Sequence, residues 1–142
     1  EEAHPETGRR WPAIPQVLLS LWQEVAGFPA PPEACLINYY GRDALMGLHR
    51  DEDEEEFSAP VVSISLGDDC RFRIGGTQRR DPTRWMILKS GDVVVLGGNS
   101  RLCFHGVDRI VAGTSDLLGN HPALFPDGGR INLTLRRVHI AA

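Results

Sequence analysis

The stretch from 60 to 76 reads Pro60-Val-Val-Ser-Ile-Ser-Leu-Gly67-Asp-Asp-Cys70-Arg-Phe-Arg-Ile-Gly75-Gly76. Two short runs of mostly β-branched and apolar residues are separated by a glycine-aspartate turn, and a second pair of glycines follows the second run. The pattern therefore predicts two strands, 60–66 and 70–74, with a turn between them.

Short strands and glycine-rich turns continue on both sides of this stretch. The predicted strands are 34–40, 45–49, 60–66, 70–74, 85–88, 92–96, 102–105 and 131–138. One helix precedes them, because apolar residues from Ile14 to Val25 fall at helical spacing and Gly27 sits where a C-terminal cap belongs. The chain is therefore predicted to be mainly β with a flanking helix, folded as an antiparallel double-stranded β-helix of the jelly-roll type.

The composition indicates a single globular domain over residues 1–142. The formal net charge of −4 argues against bulk nonspecific binding of nucleic acid, although it leaves room for a local basic patch. Cys35, Cys70 and Cys103 form neither a C-x-x-C pair nor a zinc pattern, which predicts a reduced, cytoplasmic protein. No apolar run approaches the roughly 20 residues of a membrane span. We also expect a native segment upstream of Glu1, because the chain lacks an initiator methionine.

His49-Arg-Asp51 is the first pattern that points to chemistry. A histidine and an aspartate two apart on an extended segment project from one face, with Cα atoms about 6–7 Å apart. A distant second histidine, His105, would complete two imidazoles and one carboxylate, the facial set that holds non-haem Fe(II) and leaves positions open for oxygen and a co-substrate. H-x-D alone arises by chance in many proteins, so this pattern needs support from elsewhere in the chain.

That support comes from the arginine-rich segment at 130–136. Alternation places one polar set on a single strand face: Arg130, Asn132, Thr134 and Arg136. Two arginines are expensive to bury without partners, so this face is either exposed to solvent or grips an acidic co-substrate through charge-assisted hydrogen bonds. Asn38 and Tyr40 also share a face and offer neutral hydrogen-bonding partners. Together with the metal pattern, this face predicts an oxidative enzyme.

The ordered motifs of the chain, from Trp11 to Arg137, closely resemble the AlkB family of Fe(II)- and 2-oxoglutarate-dependent dioxygenases. The motifs are Trp11-Pro-Ala-Ile-Pro15, Cys35-Leu-Ile-Asn38-Tyr-Tyr40, Leu48-His49-Arg-Asp51-Glu-Asp53-Glu, Pro60-Val-Val-Ser-Ile-Ser-Leu-Gly67, Arg79-Arg80-Asp81-Pro82, Gly91-Asp92-Val-Val-Val-Leu-Gly-Gly98, Ser100-Arg-Leu-Cys-Phe-His105-Gly and Arg130-Ile-Asn-Leu-Thr-Leu-Arg136. The ordered set is far more specific than the H-x-D pattern and its distant histidine.

The resemblance implies a site for iron and a site for 2-oxoglutarate. The implied metal ligands are His49, Asp51 and His105. The implied 2-oxoglutarate contacts are Asn38, Tyr40, Arg130, Asn132 and Arg136. By analogy, Arg130 pairs with the distal carboxylate, helped by Tyr40 and Asn132, whereas Arg136 and Asn38 lie nearer the metal-bound end.

The resemblance also implies a reaction and a substrate class. It implies oxidative demethylation of N-alkylated bases in DNA or RNA, with release of formaldehyde, succinate and CO2. Asp53 matches the residue that contacts the exocyclic amino group of the base, and Arg79 matches a basic residue on the substrate-side flap. Because Asp51 and Asp53 are acidic, a cationic base of the 1-methyladenine or 3-methylcytosine type is expected. Further candidates for a phosphate-binding surface are Arg71, Arg73, Arg80, Arg84 and Arg101.

Two loops bear on substrate access. The family has a nucleotide-recognition lid with a stacking aromatic upstream of the Trp11-Pro motif, whereas this sequence has ten residues there and none is aromatic. We expect that lid to be truncated from the chain. The segment 114–129 is rich in proline, glycine and asparagine and is predicted to be a second, disordered lid.

Three alternatives remain open at this level. The same scaffold oxidises protein or lipid substrates, and the acidic net charge mildly favours such a substrate. A metal- or 2-oxoglutarate-binding module without turnover is the second alternative. A purely structural β-sandwich is the third, and it requires the face of Arg130, Asn132 and Arg136 to be exposed to solvent. The expected partner of the leading hypothesis is alkylated single-stranded DNA or RNA, or a duplex with base flipping, bound by a monomer.

Overall fold

A computed structural model of the chain describes residues 3–140. The elements are α1 Gln16–Val25, β1 Ala34–Tyr40, β2 Met46–His49, β3 Val61–Gly67, β4 Asp69–Ile74, β5 Arg84–Leu88, β6 Val93–Leu96, β7 His105–Val111 and β8 Arg130–Arg136. A single turn of 3-10 helix, Gly98–Ser100, lies between β6 and β7. No helix within 3–140 is both long enough and apolar enough to cross a membrane.

The strands form two antiparallel sheets of four strands each. The major sheet has the order β1-β8-β3-β6, and the minor sheet has the order β2-β7-β4-β5. β3 and β4 lie in different sheets, so the turn at Gly67 and Asp68 carries the chain across the barrel instead of closing a hairpin. Gly67 has a φ of +93°, and a Cβ at this position would collide with the carbonyl oxygen of Gly129. This topology confirms the predicted double-stranded β-helix.

The helix covers the outer face of the major sheet. Trp22 is buried against Val62, Ile64 and Leu135, and its indole Nε1 donates to the carbonyl oxygen of Ala30 at 3.0 Å. Truncating Trp22 to alanine would cost about 3–5 kcal/mol, because both the packing and the hydrogen bond are lost. Val17, however, is 72% exposed, so the apolar stripe that packs is narrower than the one the sequence predicts.

A second apolar cluster lies between the two sheets. Its buried members are Tyr40, Cys70, Phe72, Leu88, Val107 and Ile110. The polar face of β8 looks into the same interior, where Arg130 and Asn132 line one pocket together with Phe72 and Leu88. The barrel therefore has an apolar wall facing a polar one. The burial of Arg130 and Asn132 excludes the structural β-sandwich alternative, which required this face to be exposed to solvent.

The prediction for the seventh strand was wrong. Residues 102–104 are not a strand, and β7 runs from His105 to Val111 instead. The residues just before β7 form turns instead, in which the amide of Cys103 donates to the carbonyl oxygen of Ser100 at 3.1 Å. Asp108 and Arg109 interrupt the apolar pattern of the true strand, which is why periodicity missed it.

The segment 114–129 is a series of turns fastened to the barrel. Leu118 is buried, and the hydroxyl of Tyr39 donates to the carbonyl oxygen of Gly128 at 2.8 Å. The ring of Phe125 stacks on Tyr39 with a centroid separation of 5.5 Å. These contacts argue against a disordered lid and make the segment a strap across the edge strand β1.

Candidate metal centre and co-substrate pocket

The two candidate histidines are brought together by the pairing of β2 with β7. His49 ends β2, His105 begins β7, and the two are direct partners in the antiparallel register. A Cβ on Gly106 would lie 2.6 Å from the carbonyl oxygen of Met46, so glycine is what allows the two strands to approach here. The imidazole centroids are consequently 4.5 Å apart.

Asp51 completes a compact set of ligand atoms with the two rings. One ligand atom from each of His49, Asp51 and His105 lies within 4.8 Å of the others. Nε2 of His49 is 4.0 Å from Asp51 Oδ1, and Nε2 of His105 is 3.4 Å from Asp51 Oδ2. Two imidazoles and one carboxylate are the ligand set of facial Fe(II) sites, which leave coordination positions for oxygen and a co-substrate.

The tautomers of both rings are fixed by backbone carbonyls. Nδ1 of His49 donates to the carbonyl oxygen of Gly47 at 2.9 Å, and Nδ1 of His105 donates to that of Cys103 at 3.0 Å. A carbonyl oxygen only accepts, so in the neutral ring the proton sits on Nδ1 and the Nε2 lone pair faces Asp51. A hydrogen bond from the second ring nitrogen to a backbone carbonyl is typical of metal-binding histidines. The residues present therefore fit a divalent iron.

Asp51 is a buried carboxylate held by a cation. Arg136 Nη2 donates to Asp51 Oδ1 at 2.9 Å. Burial raises the pKa of the Asp51 carboxyl, but the hydrogen bond that a protonated His105 ring donates through Nε2 and the charge of Arg136 together lower it more, so its pKa lies below the ordinary value. The carboxylate is therefore ionised at neutral pH, as a metal ligand must be.

Arg130 is a second buried cation, and it is only partly satisfied. It is 1% exposed, and its Nη2 donates to the hydroxyl of Ser65 at 2.7 Å. Among the described residues, its Nε and Nη1 have no hydrogen-bond partner, and neither does Nε of Arg136. Unpaired buried guanidinium donors cost free energy unless an acceptor arrives, so the pocket fits an anionic ligand. The pocket also contains all three candidate metal ligands.

The neighbours of Arg130 follow from strand register. Tyr40 lies opposite Arg130, and Asn38 lies opposite Asn132, in the pairing of β1 with β8. The guanidinium carbon of Arg130 is 5.3 Å from the centroid of the Tyr40 ring. Burial raises the pKa of the Tyr40 hydroxyl, and Arg130 opposes that rise, so the phenol stays protonated and can donate a hydrogen bond. Both Tyr40 and Asn38 line the pocket.

Asn132 is placed in the pocket wall but is bonded to protein atoms. Its amide nitrogen donates to the hydroxyl of Ser63 and, at 3.4 Å, to the carbonyl oxygen of Ile64. Its amide oxygen accepts from Thr134 Oγ1 at 2.8 Å. The side chain therefore braces β8 against β3.

The two candidate substrate contacts, Asp53 and Arg79, are both exposed on the surface. Asp53 is exposed in the loop that joins β2 to β3. Arg79 donates from Nη1 to the carbonyl oxygen of Leu48 at 3.1 Å, next to His49. Its guanidinium lies 4.8 Å from the centroid of the Phe104 ring, and that of Arg50 lies 5.3 Å from the same centroid. Two cations thus lie close to His49, and the acid stands two residues after Asp51 in the chain.

The wider set of basic candidates does not form one surface. Arg71 and Arg73 both contact Asp108, at 3.3 Å and 2.9 Å. Arg101 is 3% exposed, so its assignment to a phosphate-binding surface was wrong. Its guanidinium instead bonds to the acidic loop, residues 51–59, through Glu54 and two backbone carbonyls.

Sequence reasoning missed the polar residues that support the site. Arg101 and Glu54 gave no local signal, because they come together from points 47 residues apart in the sequence. Ser63 and Ser65 did carry a signal: they alternate with Val62, Ile64 and Leu66, so they face the opposite side of β3 from those apolar residues. That alternation, matched with the polar face of β8, would have placed both serines beside Arg130 and Asn132.

Comparisons with known proteins agree with this geometry. The family model described as the 2OG-Fe(II) oxygenase superfamily matches residues 1–136. The chain is similar to the alpha-ketoglutarate-dependent dioxygenase AlkB homolog of Caulobacter vibrioides, with 54% identity over 140 residues, which are 99% of this chain and 60% of that protein. It is also 44% identical to the alpha-ketoglutarate-dependent dioxygenase AlkB of Escherichia coli strain K12, over 94% of this chain and 60% of that protein.

A solved structure extends the likeness to three dimensions. The structure of OsALKBH1 matches with a TM-score of 0.76 and 34% identity, over 96% of this chain and 72% of that one. The chain spans about three fifths of the length of the bacterial relatives it matches.

Proposed function

This chain belongs to the AlkB family of the 2OG-Fe(II) oxygenase superfamily, and on that premise we propose that it removes N-linked methyl groups oxidatively from bases in DNA or RNA. The observation that carries the proposal is one pocket containing both a His-Asp-His ligand set and a buried arginine with free donors. The first feature supports Fe(II), and the second supports 2-oxoglutarate. Relatives with long coverage of this chain include alpha-ketoglutarate-dependent dioxygenases and a DNA N(6)-methyladenine demethylase of Arabidopsis thaliana.

The metal is assigned to His49, Asp51 and His105. Both imidazoles present Nε2, because their Nδ1 protons are engaged by backbone carbonyls. Arg136 keeps the Asp51 carboxylate ionised and limits its rotation. Iron, when bound with O2, supplies the oxidising chemistry, whereas the protein orients the reactants and excludes water.

The co-substrate is assigned to the face of β8 and its neighbour β1. The free Nε and Nη1 of Arg130 would pair with the distal carboxylate of 2-oxoglutarate, with the Tyr40 hydroxyl donating to the same group. Asn132 contributes to that end by holding the wall in place. Arg136, through its unpaired Nε, and Asn38 would serve the end nearer the metal.

The base is assigned to the rim that carries Asp53 and Arg79. A carboxylate beside the ionised Asp51 favours a cationic methylated base such as 1-methyladenine or 3-methylcytosine, because attraction between opposite charges strengthens as water is excluded. Arg79 supplies a cation beside His49 for the nucleotide phosphate. In the net reaction the methyl carbon leaves as formaldehyde, while 2-oxoglutarate is converted to succinate and CO2.

The proposal also covers the form of the substrate, the oligomeric state of the protein and its cellular location. A base inside a duplex is shielded by stacking, so single-stranded nucleic acid or a flipped base is the proposed substrate form. The three candidate metal ligands and Arg130 lie in one pocket of a single chain, so the site needs no second copy, and a monomer is the proposed state. Cys35, Cys70 and Cys103 are free thiols, which supports a cytoplasmic setting.

The direct experiment supplies Fe(II), 2-oxoglutarate and air to the protein with a single-stranded oligonucleotide that contains one 1-methyladenine. Formaldehyde, succinate and unmodified adenine are measured together, and H49A serves as the metal-free control. Formaldehyde equal in amount to repaired adenine supports the proposed function.

Two other outcomes would contradict it in different ways. Succinate without repaired base would keep the oxygenase and reject this substrate, which would favour a protein or lipid target on the same scaffold. Neither product from a metal-loaded protein would favour a binding module without turnover.

A further inference from the structure

Arg101 is a buried arginine whose donors all point at one loop. It is 3% exposed and lies directly after the 3-10 turn Gly98–Ser100. Its Nη1 donates to the carbonyl oxygen of Asp51 at 2.6 Å, and its Nε donates to that of Ala59 at 2.9 Å. Its Nη2 donates to Glu54 Oε2 at 3.1 Å. One guanidinium therefore joins the beginning, middle and end of the acidic loop, residues 51–59.

Glu54 continues the connection from Arg101 to the metal ligands. Its second oxygen, Oε1, accepts from Arg136 Nη1 at 3.0 Å, and Arg136 Nη2 bonds to Asp51 Oδ1 at 2.9 Å. The chain of contacts thus runs from Arg101 to Glu54, to Arg136 and to the ligand carboxylate. Glu54 is 3% exposed at its side chain, so both of its ion pairs are shielded from water and are weakly screened.

We propose that Arg101 is a positioning residue, which holds the Asp51 carboxylate in ligand geometry and places the exposed Asp53 of the same loop. The first role concerns metal affinity. The second role rests on the proposed function, in which Asp53 contacts the substrate base. Neither role requires Arg101 to touch metal, co-substrate or substrate.

The shape of the guanidinium explains why arginine occupies this position. Three acceptors in three directions match the planar fork of arginine, whereas a lysine ammonium on the same stem reaches them poorly. The ring of Phe57 lies 5.3 Å from the guanidinium carbon and covers it from the loop side. A lysine at 101 keeps the charge that Glu54 requires but loses the simultaneous hold on Asp51 and Ala59.

The test compares R101K and R101Q with R109Q, which alters an exposed arginine on β7. The probe is Mn(II), titrated anaerobically into each protein in the presence of 2-oxoglutarate. We expect R101Q to weaken Mn(II) binding by about 10–100-fold, which is the usual effect of removing an outer hydrogen bond from a metal ligand. R101K should recover part of that loss, and R109Q should match the unaltered protein.

A coupling measurement separates positioning from a general loss of stability. The double variant R101Q/E54Q removes both members of one ion pair, so its effect on Mn(II) affinity should be smaller than the product of the single effects. The titrations are made well below the unfolding temperature of each variant, which circular dichroism defines. R101Q is also expected to raise KM for a methylated oligonucleotide more than it lowers kcat.

Several results would overturn the proposal. Equal Mn(II) affinity in R101Q and R109Q, both folded, would show that Arg101 does not position Asp51. Multiplicative effects of R101Q and E54Q would contradict the connection through Glu54. If R101Q does not fold, the test rests on R101K. A Mn(II) affinity of R101K equal to that of R109Q would then reject the proposal.

The Mn(II) readout is independent of the substrate. If the unaltered protein repaired no base while R101Q still lost Mn(II) affinity, the proposed function would fail and the positioning role of Arg101 at the metal would stand. The opposite pattern, normal repair and normal Mn(II) affinity in R101Q, would reject the positioning role and leave the proposed function intact.

Discussion

Arg130 and Arg101 are both buried, at 1% and 3% exposure, yet their surroundings differ in a way that separates the two halves of the site. Within residues 3–140, Arg130 bonds to one serine hydroxyl, and its Nε and Nη1 have no hydrogen-bond partner. Arg101 bonds to a carboxylate and two carbonyl oxygens, through all three of its nitrogens. Two arginines of similar burial therefore have opposite hydrogen-bonding states.

The difference indicates that the two buried arginines have different roles. A satisfied guanidinium such as Arg101 stabilises the fold around it, because removing it takes one of two cationic partners from the buried Glu54 and leaves Arg136 as the other. The unpaired donors of Arg130 cost free energy while no anion is bound, and this cost is offset when an anion accepts their hydrogen bonds. The pocket around Arg130 is therefore a binding region, whereas the acidic loop around Arg101 is a supporting region. Asp51 belongs to both.

The largest expected effects come from the metal ligands. H49A and D51A should both abolish detectable Fe(II)-dependent succinate formation and Mn(II) binding, because each removes one of three ligands. D51A should also lower the free energy of unfolding by about 3–5 kcal/mol, because it leaves Arg136 without one of its buried partners. H49A should change it by much less. Urea denaturation of the metal-free proteins measures the difference, and equal destabilisation would place Asp51 outside the supporting region.

The next effect separates the two arginines directly. R130M should weaken 2-oxoglutarate binding by about 2–4 kcal/mol, because the carboxylate loses its charged partner. The same change should leave the metal-free protein within about 1 kcal/mol of its original stability, or make it more stable, since two unpaired donors are removed. R101M should instead destabilise it by about 3–5 kcal/mol. Comparable losses of stability in R130M and R101M would contradict the claim that Arg101 stabilises the fold whereas Arg130 serves binding.

A smaller effect is expected at Asp53, on the exposed part of the acidic loop. D53N should raise KM for an oligonucleotide with cationic 1-methyladenine by about 10-fold, or about 1.4 kcal/mol, because one attractive charge is lost. A neutral methylated base should be affected by less than about 2-fold. The two KM values are measured with formaldehyde as the product. Equal changes in KM for the cationic and the neutral base would contradict a role of the Asp53 charge in recognising the base.

The smallest effect is expected at the half-buried ion pairs of Asp108 with Arg71 and Arg73. The hydrogen bond from Arg73 lowers the pKa of the Asp108 carboxyl, burial opposes that shift, and the charges of Arg73 and Arg71 add to the lowering. D108N should cost less than about 1 kcal/mol at neutral pH, because the pair is near the surface.

The pH dependence of D108N follows from the lowered pKa. A lowered folded-state pKa contributes stability above the ordinary carboxyl range and loses it as the pH falls through the folded value. The difference in unfolding free energy between D108N and the unaltered protein should therefore vanish in acid. A difference that grew in acid would contradict the assignment of the Arg73–Asp108 pair.

The sequence predicted the fold class and most strands because alternation and glycine turns are local signals. It also predicted the polar face of β8, since Arg130, Asn132 and Arg136 alternate with leucines and isoleucine. The seventh strand was missed because Asp108 and Arg109 break its apolar pattern. Periodicity reports which face is polar, but it does not report which polar groups are already bonded.

The supporting region was largely beyond sequence reasoning. Arg101 meets Glu54 across 47 residues, and neither residue differs locally from an exposed charge. Only the pairing of β2 with β7 and the path of the acidic loop bring the two together. The unpaired state of Arg130 is equally invisible in sequence, because it depends on the position of a single hydroxyl, that of Ser65.

The most direct test of the central claim, that the free donors of Arg130 form a site for a dicarboxylate, is a calorimetric titration of the Mn(II)-loaded protein. 2-Oxoglutarate is compared with 2-oxopentanoate, which has the same chelating end and lacks the distal carboxylate. The account predicts that the unaltered protein binds 2-oxoglutarate at least about 30-fold more tightly, a difference of about 2 kcal/mol, and that R130M loses this preference. Equal affinities in the unaltered protein, or a preference that persists in R130M, would contradict it.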